Sequence, residues 1–520
     1  MKDMLDSIGI KEFMNTLDLP EKGSNRGYES MQIIECFWTS IWIGAGRFSH
    51  SAYLRYDKVL HEIFGWKQAP SQSTDSRFFQ KFSWKRNNEV FVPIQKWFID
   101  NLKIKNVTID FDSSVVTRYG EQEGSKAGYN PSKPGRASHH PLMAFIAETR
   151  MVANAWLRPG NTAALSNCKA FIDETFEILK DKKVGLIRAD SGFYGHDFLN
   201  YLETEKLTNY IIAVKMYSTI KQEMRSKKEW IKLKDGIEIT EFEYQSPDWE
   251  KPRRMVAVRK NIEILTKATG KLLLFDEPVG RWRYSLYVTN LDLPAEQIWL
   301  SYKDRADAEN RIKELKYDFG LDSFCMDKFW ATEAAFRTIM IGYNLMSLFR
   351  QIVLQSKSQA TLSTIRFKCF ALGSWITKHA GKTTLNISAI GEKQKWLDGL
   401  FDIVKNKDRA DAENRIKELK YDFGLDSFCM NKFWATEAAF RTIMIAYNLM
   451  SLFRQGVLKS KSQATLSTLR FKCFALGSWI SKHAGKTTLN ISAIGEKRKW
   501  LDGLFDIVRQ NDKSLYFSNA

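Results

Sequence analysis

Residues 107–112 read VTIDFD, and this short run decides the fold. Side chains alternate along a strand, so Val107, Ile109 and Phe111 share one face while Asp110 and Asp112 share the other, with Asp112 at the C-terminal end. Downstream, VGLIRAD (residues 184–190) is a second short apolar run ending in Asp190, followed by the turn formers Ser191 and Gly192. Open α/β sheets place their sites at the carboxyl ends of strands, which makes both aspartates candidates. Each one alone reads more readily as a turn or cap residue, because Asp is frequent wherever strands end.

Outward from these runs the chain alternates. After a loop dense in turn formers, PLMAFIAETRMVANAWL predicts two more strands or a hairpin, CKAFIDETFEILKDK and HDFLNYLETEK predict helices, and NYIIAVKM another strand. This order predicts a mixed α/β core over residues 105–216. Residues 217–300 become strand-like and strongly charged (EITEFEYQ, RRMVAVRK, KLLLFDEP, RWRYSLYVTN), which predicts a β-rich insertion. Residues 1–104 carry apolar side chains at helical spacing, as in MQIIECFWTSIWI and NEVFVPIQKWFIDNL, and form a helical N-terminal region. Within it PSQSTDSRFFQKF predicts a short aromatic and basic helix. That helix either reads DNA or simply packs on the rest.

The C-terminal part is doubled. The run KDRADAENRIKELKYDFGLDSFCM starts at Lys303 and again at Lys407, a period of 104 residues, and by alignment only about nine positions differ between the copies. Solenoid repeats are shorter and need three or more copies, so this is a duplication rather than a repeat architecture. The predicted organisation is a core helix region at 301–350, a helical region at 351–406, and a near-identical duplicate of 303–406 plus a tail at 407–520.

The first copy of this segment carries the strongest pattern. Tyr302, Arg305, Glu309 and Lys316 stand at offsets of 0, 3, 7 and 14, which on a continuous helix places them within about 60° of arc. Ala308, Ile312 and Leu315 form an adjacent apolar stripe suited to packing on a sheet. On a generic helix such a face would be a solvated run of charges.

The spacing Y-x2-R-x3-E-x6-K resembles the YREK signature of a large branch of bacterial insertion-sequence DDE transposases, complete here in Tyr302, Arg305, Glu309 and Lys316. The segments DSSVVTRYGEQEGSKAGYNPSKPGRASHHPL and IRADSGFY are similar to the first- and second-aspartate regions of that branch. The resemblance, over residues 105–406, implies a ribonuclease H-like mixed sheet with a β-rich insertion between the second aspartate and the glutamate. The 119 residues from Asp190 to Glu309 leave room for one. It further implies Asp112, Asp190 and Glu309 as catalytic residues holding two Mg²⁺ ions, with Mn²⁺ as a substitute. Tyr302, Arg305 and Lys316 would hold phosphates, and Trp282 would either stack on a flipped base or belong to the core of the insertion. Transposon-end and target DNA, a homodimer in the synaptic complex, and a bacterial cytoplasmic, nucleoid-associated location complete what it implies. Asp110 stands as the alternative to Asp112, since both face the same way. Glu413 stands as the alternative to Glu309. The second copy keeps Arg409, Glu413 and Lys420 but has Asn406 where the first has Tyr302, and it has no aspartate-bearing strands of its own.

Composition agrees with a polyanionic partner, since 78 Lys and Arg against 60 Asp and Glu leave a net charge of +18. The apolar runs at 31–44 and 334–349 contain Glu35 and Arg337 and are too short or too charged to span a bilayer. The first residues lack a signal-peptide core. Cys36, Cys168, Cys325, Cys369, Cys429 and Cys473 lack paired spacing and read as buried thiols, without disulfides or zinc. His139 and His140 lie in a loop as DNA-facing or structural donors, with no metal-ligand spacing to other His or Cys. Gly120, Gly124, Gly128 and Gly135 match no nucleotide-binding pattern. Two other functions stay open: a protein that binds transposon ends but no longer cuts, and a nuclease without strand transfer.

Overall fold

In the computed structural model, which describes residues 1–234, 236–261, 277–279, 282–355, 360–402, 450, 478–483, 486–491, 498–499, 502–503 and 506, the VTIDFD run is the middle of strand β1 (Asn106–Ser113). Val107, Ile109 and Phe111 all enter one hydrophobic core, as their alternation requires. The chain then forms a small three-stranded sheet of β2 (Val116–Thr117), β3 (Lys126–Ala127) and β4 (Ala137–His139). It returns as β5 (Leu142–Ile146) and β6 (Met151–Trp156), an antiparallel meander beside β1. The helices Cys168–Leu179 and His196–Thr204 precede β7 (Lys183–Ala189) and β8 (Tyr210–Ala213), both parallel to β1 in sense. The order β6-β5-β1-β7-β8, with three antiparallel strands followed by two parallel ones, is that of a ribonuclease H-like sheet.

The insertion is β-rich, as its composition predicts, and its strands prolong the core sheet. β9 (Ile231–Lys234), β10 (Ile237–Tyr244), β11 (Arg253–Asn261), β12 (Glu277–Val279) and β13 (Trp282–Thr289) follow β8, and β13 pairs antiparallel with it. One ten-stranded sheet results. Most of KLLLFDEP lies outside the described residues.

The opposite edge strand, β6, is covered by the helix Phe329–Leu348, which is buried along nearly its whole length. Asn344 on this helix accepts from the Val152 N–H at 2.7 Å and donates to the Val152 carbonyl at 2.8 Å. Its amide thereby satisfies the backbone groups that an edge strand leaves open. The N-terminal region is helical as predicted, and its helix Ser30–Ile43 docks on the same element: the Trp38 and Trp42 indoles donate to the Thr338 and Gly342 carbonyls. A Cβ at Gly342 would lie 3.0 Å from Trp38 Cδ1. In Gly342→Ala this crowding is expected to cancel the roughly 1 kcal/mol that alanine gains over glycine inside a helix, leaving a urea midpoint no higher than wild type. The duplicate carries alanine at the matching position, Ala446.

The helix Gln72–Phe79 buries Phe78, Phe79 and, unexpectedly, Asp75. Burial raises the Asp75 carboxyl to about 7, outweighing the nearby Ser51 hydroxyl. A carboxyl raised on folding favours the protonated native state, so its contribution to stability is lost as pH climbs from about 4 through about 7. Asp75→Asn is expected to raise the melting temperature on the order of 5 °C at pH 8. The gain should vanish as pH approaches 4, which thermal melts at several pH values would check.

Within 351–406 a hairpin interrupts the expected helices. β14 (Ser374–His379) and β15 (Lys382–Ile387) form a hairpin closed by Ala380 and Gly381, both at positive φ. A two-residue turn of that kind matches the twist of the strands, and the flanking Thr and Ile residues favour extended backbone, which explains why this stretch is a hairpin. Residues 1–400 form one unit and 401–520 another. In the second, β16 (Ser478–His483) and β17 (Lys486–Ile491) repeat the hairpin in the same register. Asn406, Arg409, Glu413 and Lys420 lie outside the described residues, as do Cys429 and Cys473; the other four cysteines are free. Among the described residues no helix is long and apolar enough to cross a membrane.

Candidate active site

β1 and β7 run side by side and in parallel, so their carboxyl ends open on the same side of the sheet. β1 delivers Asp112 there, and Asp190 follows one residue after β7 ends. Asp190 caps the turn Ser191–Phe193, its Oδ1 accepting the Gly192 N–H at 2.9 Å. A Cβ on residue 192 would sit 2.9 Å from that same oxygen and 3.1 Å from Ala164 Cβ, so a larger residue there would push the carboxylate out of this position.

The third group arrives from the far end of the insertion. Tyr302 lies in the last turn of the helix Ala295–Lys303, and Glu309 belongs to a second helix, Ala306–Tyr317. The single continuous helix expected from 302 to 316 is broken at Asp304 and Arg305. There the backbone tightens into i to i+3 bonds, Arg305 N–H to Tyr302 O at 3.0 Å and Ala308 N–H to Arg305 O at 2.9 Å. Ala308, Ile312 and Leu315 are buried as the apolar stripe predicts.

Arg305 bridges the carboxylates. Its Nη2 donates to Asp112 Oδ2 at 2.8 Å and to the Phe111 carbonyl at 3.3 Å, and its Nη1 lies 3.6 Å from Glu309 Oε1. Both Arg305 and Asp112 are buried, whereas the Glu309 side chain is 39% exposed. Burial raises the Asp112 carboxyl above the usual carboxylate range, the Arg305 guanidinium opposes the rise, and Asp190 and Glu309 add to it. All three carboxylates line one cleft of about 1770 Å³, together with Arg305 and Lys316. The Lys316 ammonium donates to the Val115 carbonyl at 2.8 Å.

The other candidates are placed differently. Asp110 is fully buried and held by both arms of Arg188, Nε to Oδ1 at 2.6 Å and Nη2 to Oδ2 at 2.9 Å. It does not line the cleft, because its register partner on β7 takes both of its oxygens. Tyr302 sits behind the cleft, packed 4.4 Å from the Tyr287 ring, its hydroxyl donating to the Ala189 carbonyl at 3.3 Å. Trp282, at the start of β13, is half-buried with the Arg259 guanidinium 4.6 Å above its ring, away from the cleft lining. His139 accepts from Arg118 Nε at 2.9 Å, and burial together with that guanidinium lowers its imidazole to about 4, so it stays neutral. His140 lines the cleft and donates to the Thr162 carbonyl at 2.6 Å.

Lys215, Arg118 and Asp322 also line the cleft and were not singled out from sequence. Arg188 was missed too, although its position two residues before Asp190 puts it on the same strand face.

The donor set suits a hard divalent cation, since three carboxylates that repel one another around a buried Asp112 are stabilised by positive charge, and Mg²⁺ prefers oxygen ligands. A guanidinium supplies that charge between two of them. As arranged, the described residues contain no group of three His, Cys, Asp or Glu close enough to enclose an ion. Asp112, Asp190 and Glu309 are the residues that would hold one.

A profile of the family described as transposase DDE domain group 1 matches residues 1–408 and again 398–512. The fold is similar to that of a piggyBac transposase, solved by cryo-electron microscopy in a synaptic complex with hairpin DNA. The two chains are 12% identical with a TM-score of 0.42, over 71% of this chain and 79% of that one. No curated protein matches the chain by sequence.

Proposed function

The chain belongs to the transposase DDE domain group 1 family and is a DNA transposase, and we propose that its cleft cuts the ends of an insertion sequence and joins them to target DNA by metal-dependent phosphoryl transfer. The observation that carries this reading is the meeting of Asp112, Asp190 and Glu309, from two adjacent strand ends and a distant helix, in one cleft with Arg305 and Lys316. Two Mg²⁺ ions, or Mn²⁺ in their place, would be held by these three carboxylates and would neutralise the attacking and leaving oxygens of an in-line displacement at phosphorus.

The chain's own side chains supply the rest. Lys316, whose ammonium lies at the cleft wall, is placed to meet a phosphate oxygen. Arg305 opposes the rise that burial imposes on the Asp112 carboxyl, and its donors would be available to the transposon-end backbone if metal charge took its place beside Asp112. Tyr302 acts from behind, fixing the β7 end that presents Asp190. A base-stacking role for Trp282 would require it to leave the Arg259 guanidinium. Two chains would pair two transposon ends in a synaptic complex.

Glu309 is the working glutamate of the two copies. It reaches the cleft directly, and the glycine that lets Trp38 close on the following helix is present only in the first copy.

The test is to incubate the full chain with duplex DNA bearing the element's own terminal repeats, Mg²⁺ and a target plasmid. Release of a 3′ hydroxyl end, its joining to the plasmid and loss of both on chelation are expected. Binding without cleavage would identify an end-binding protein, and cleavage without joining a nuclease; either overturns this reading.

A further inference from the structure

The mouth of the cleft carries three tyrosines that the carboxylate chemistry does not use. Tyr119, between β2 and β3, and Tyr129, between β3 and β4, are each 70% exposed, and Tyr317, the last residue of the helix that carries Glu309 and Lys316, is 83% exposed. All three line the same cleft as Asp112, Asp190 and Glu309. Large aromatic rings left in water beside a basic cleft are poorly explained by folding, which gains from burying them.

The loop holds Tyr119 out by construction. The preceding residue, Arg118, is buried, donating to His139 Nδ1 at 2.9 Å and to the Asp322 carbonyl at 2.6 Å. Asn130 accepts the Lys133 N–H at 3.0 Å and donates to Thr117 Oγ1 at 3.2 Å, which closes the loop on itself. The Lys133 ammonium also donates to the Tyr119 hydroxyl and lies 4.8 Å from its ring centroid, and the Arg136 guanidinium lies 5.8 Å from it. The ring is thus accompanied by two cations able to meet the phosphates of a strand whose base stacks there. Aromatic platforms interleaved with Lys and Arg along a groove are the arrangement that takes a single strand, because every base offers a π-face and the backbone follows the charge.

We propose that this mouth binds an unpaired stretch of DNA strand at the carboxylates, with bases stacked on Tyr119 and Tyr317 and phosphates met by Lys133 and Lys316. The proposal rests on the transposase reading for the identity of the strand, but stacking itself needs neither metal nor cleavage. A duplex would present its backbone alone to these rings. The mouth therefore selects a melted or frayed end over an intact one.

The test measures fluorescence anisotropy of the full chain in a chelating buffer at fixed salt, with labelled oligothymidine of about 15 nucleotides, an abasic strand of the same length and a matching duplex. Tyr119→Ala is expected to weaken oligothymidine binding roughly tenfold, with the abasic strand and the duplex nearly unaffected and Tyr119→Phe close to wild type. An unchanged melting temperature would separate the effect from misfolding, which the exposure of Tyr119 disfavours. Equal affinity of Tyr119→Ala and wild type for oligothymidine would overturn the proposal. An equal loss on all three probes would do the same, since it would signal charge or fold rather than stacking. Failure of the cleavage reading would leave this result intact, because the assay contains no metal.

Discussion

Glu309→Gln is expected to lower the rate of DNA strand cleavage on the order of 10³-fold, because each lost 1.4 kcal/mol of transition-state stabilisation costs about tenfold and metal clamping supplies several kcal/mol. Glutamine keeps the shape and polarity of the side chain but removes the charge, so protein stability and DNA binding should change little; the side chain is partly exposed and 3.6 Å from its cationic neighbour. Glu413→Gln is expected to leave cleavage at wild-type rate. The second copy has no second pair of strand-end aspartates and carries Asn406 in place of Tyr302, so its glutamate has no partner set of its own. Rates measured on the two variants side by side decide the matter. Activity that survives Glu309→Gln and disappears with Glu413→Gln would transfer the role to the duplicate.

The largest effect on stability is expected at Arg188. Its guanidinium and Asp110 are both buried within the sheet and joined by two hydrogen bonds. Arg188→Leu leaves a carboxylate without its partner in the interior and should cost about 3–5 kcal/mol, whereas the paired change Asp110→Leu with Arg188→Leu should recover most of it. Urea unfolding of the single and double variants checks both statements. Arg188 also donates to the Ser301 carbonyl, which anchors the helix that leads to Arg305. The single variant should therefore lose cleavage activity even at temperatures where it stays folded.

That pair also marks where sequence reading ends. Alternation along VTIDFD placed Asp110 and Asp112 on one face, which is correct, yet it could not choose between them. The choice depends on which residue of a strand some 78 positions away lies opposite each one, and register is a property of pairing rather than of local pattern. The strand-end aspartates were legible because an apolar alternating run that stops at an acidic residue and turn formers marks a strand's carboxyl end, and the structure brings both of them and Glu309 to one cleft. The break at Asp304 was not, since a helical wheel assumes the continuity that the tight turn removes. The insertion strands were legible as strands, but their joining of β8 through β13 is a long-range pairing that composition cannot carry. The hairpin at Ala380 was open to prediction from its β-branched Ile376, Thr377, Thr383, Thr384 and Ile387 about a short Ala-Gly turn and was masked by the helical segments around it.

The carboxylate site is tested most directly by titrating Mn²⁺ into the full chain and following bound ion by electron paramagnetic resonance, without DNA. Wild type should bind the ion at the cleft, and Asp112→Asn, Asp190→Asn and Glu309→Gln should each weaken binding about tenfold or more, while Glu413→Gln should not. Mn²⁺ binding that is undiminished in Asp112→Asn and Asp190→Asn would contradict the assignment.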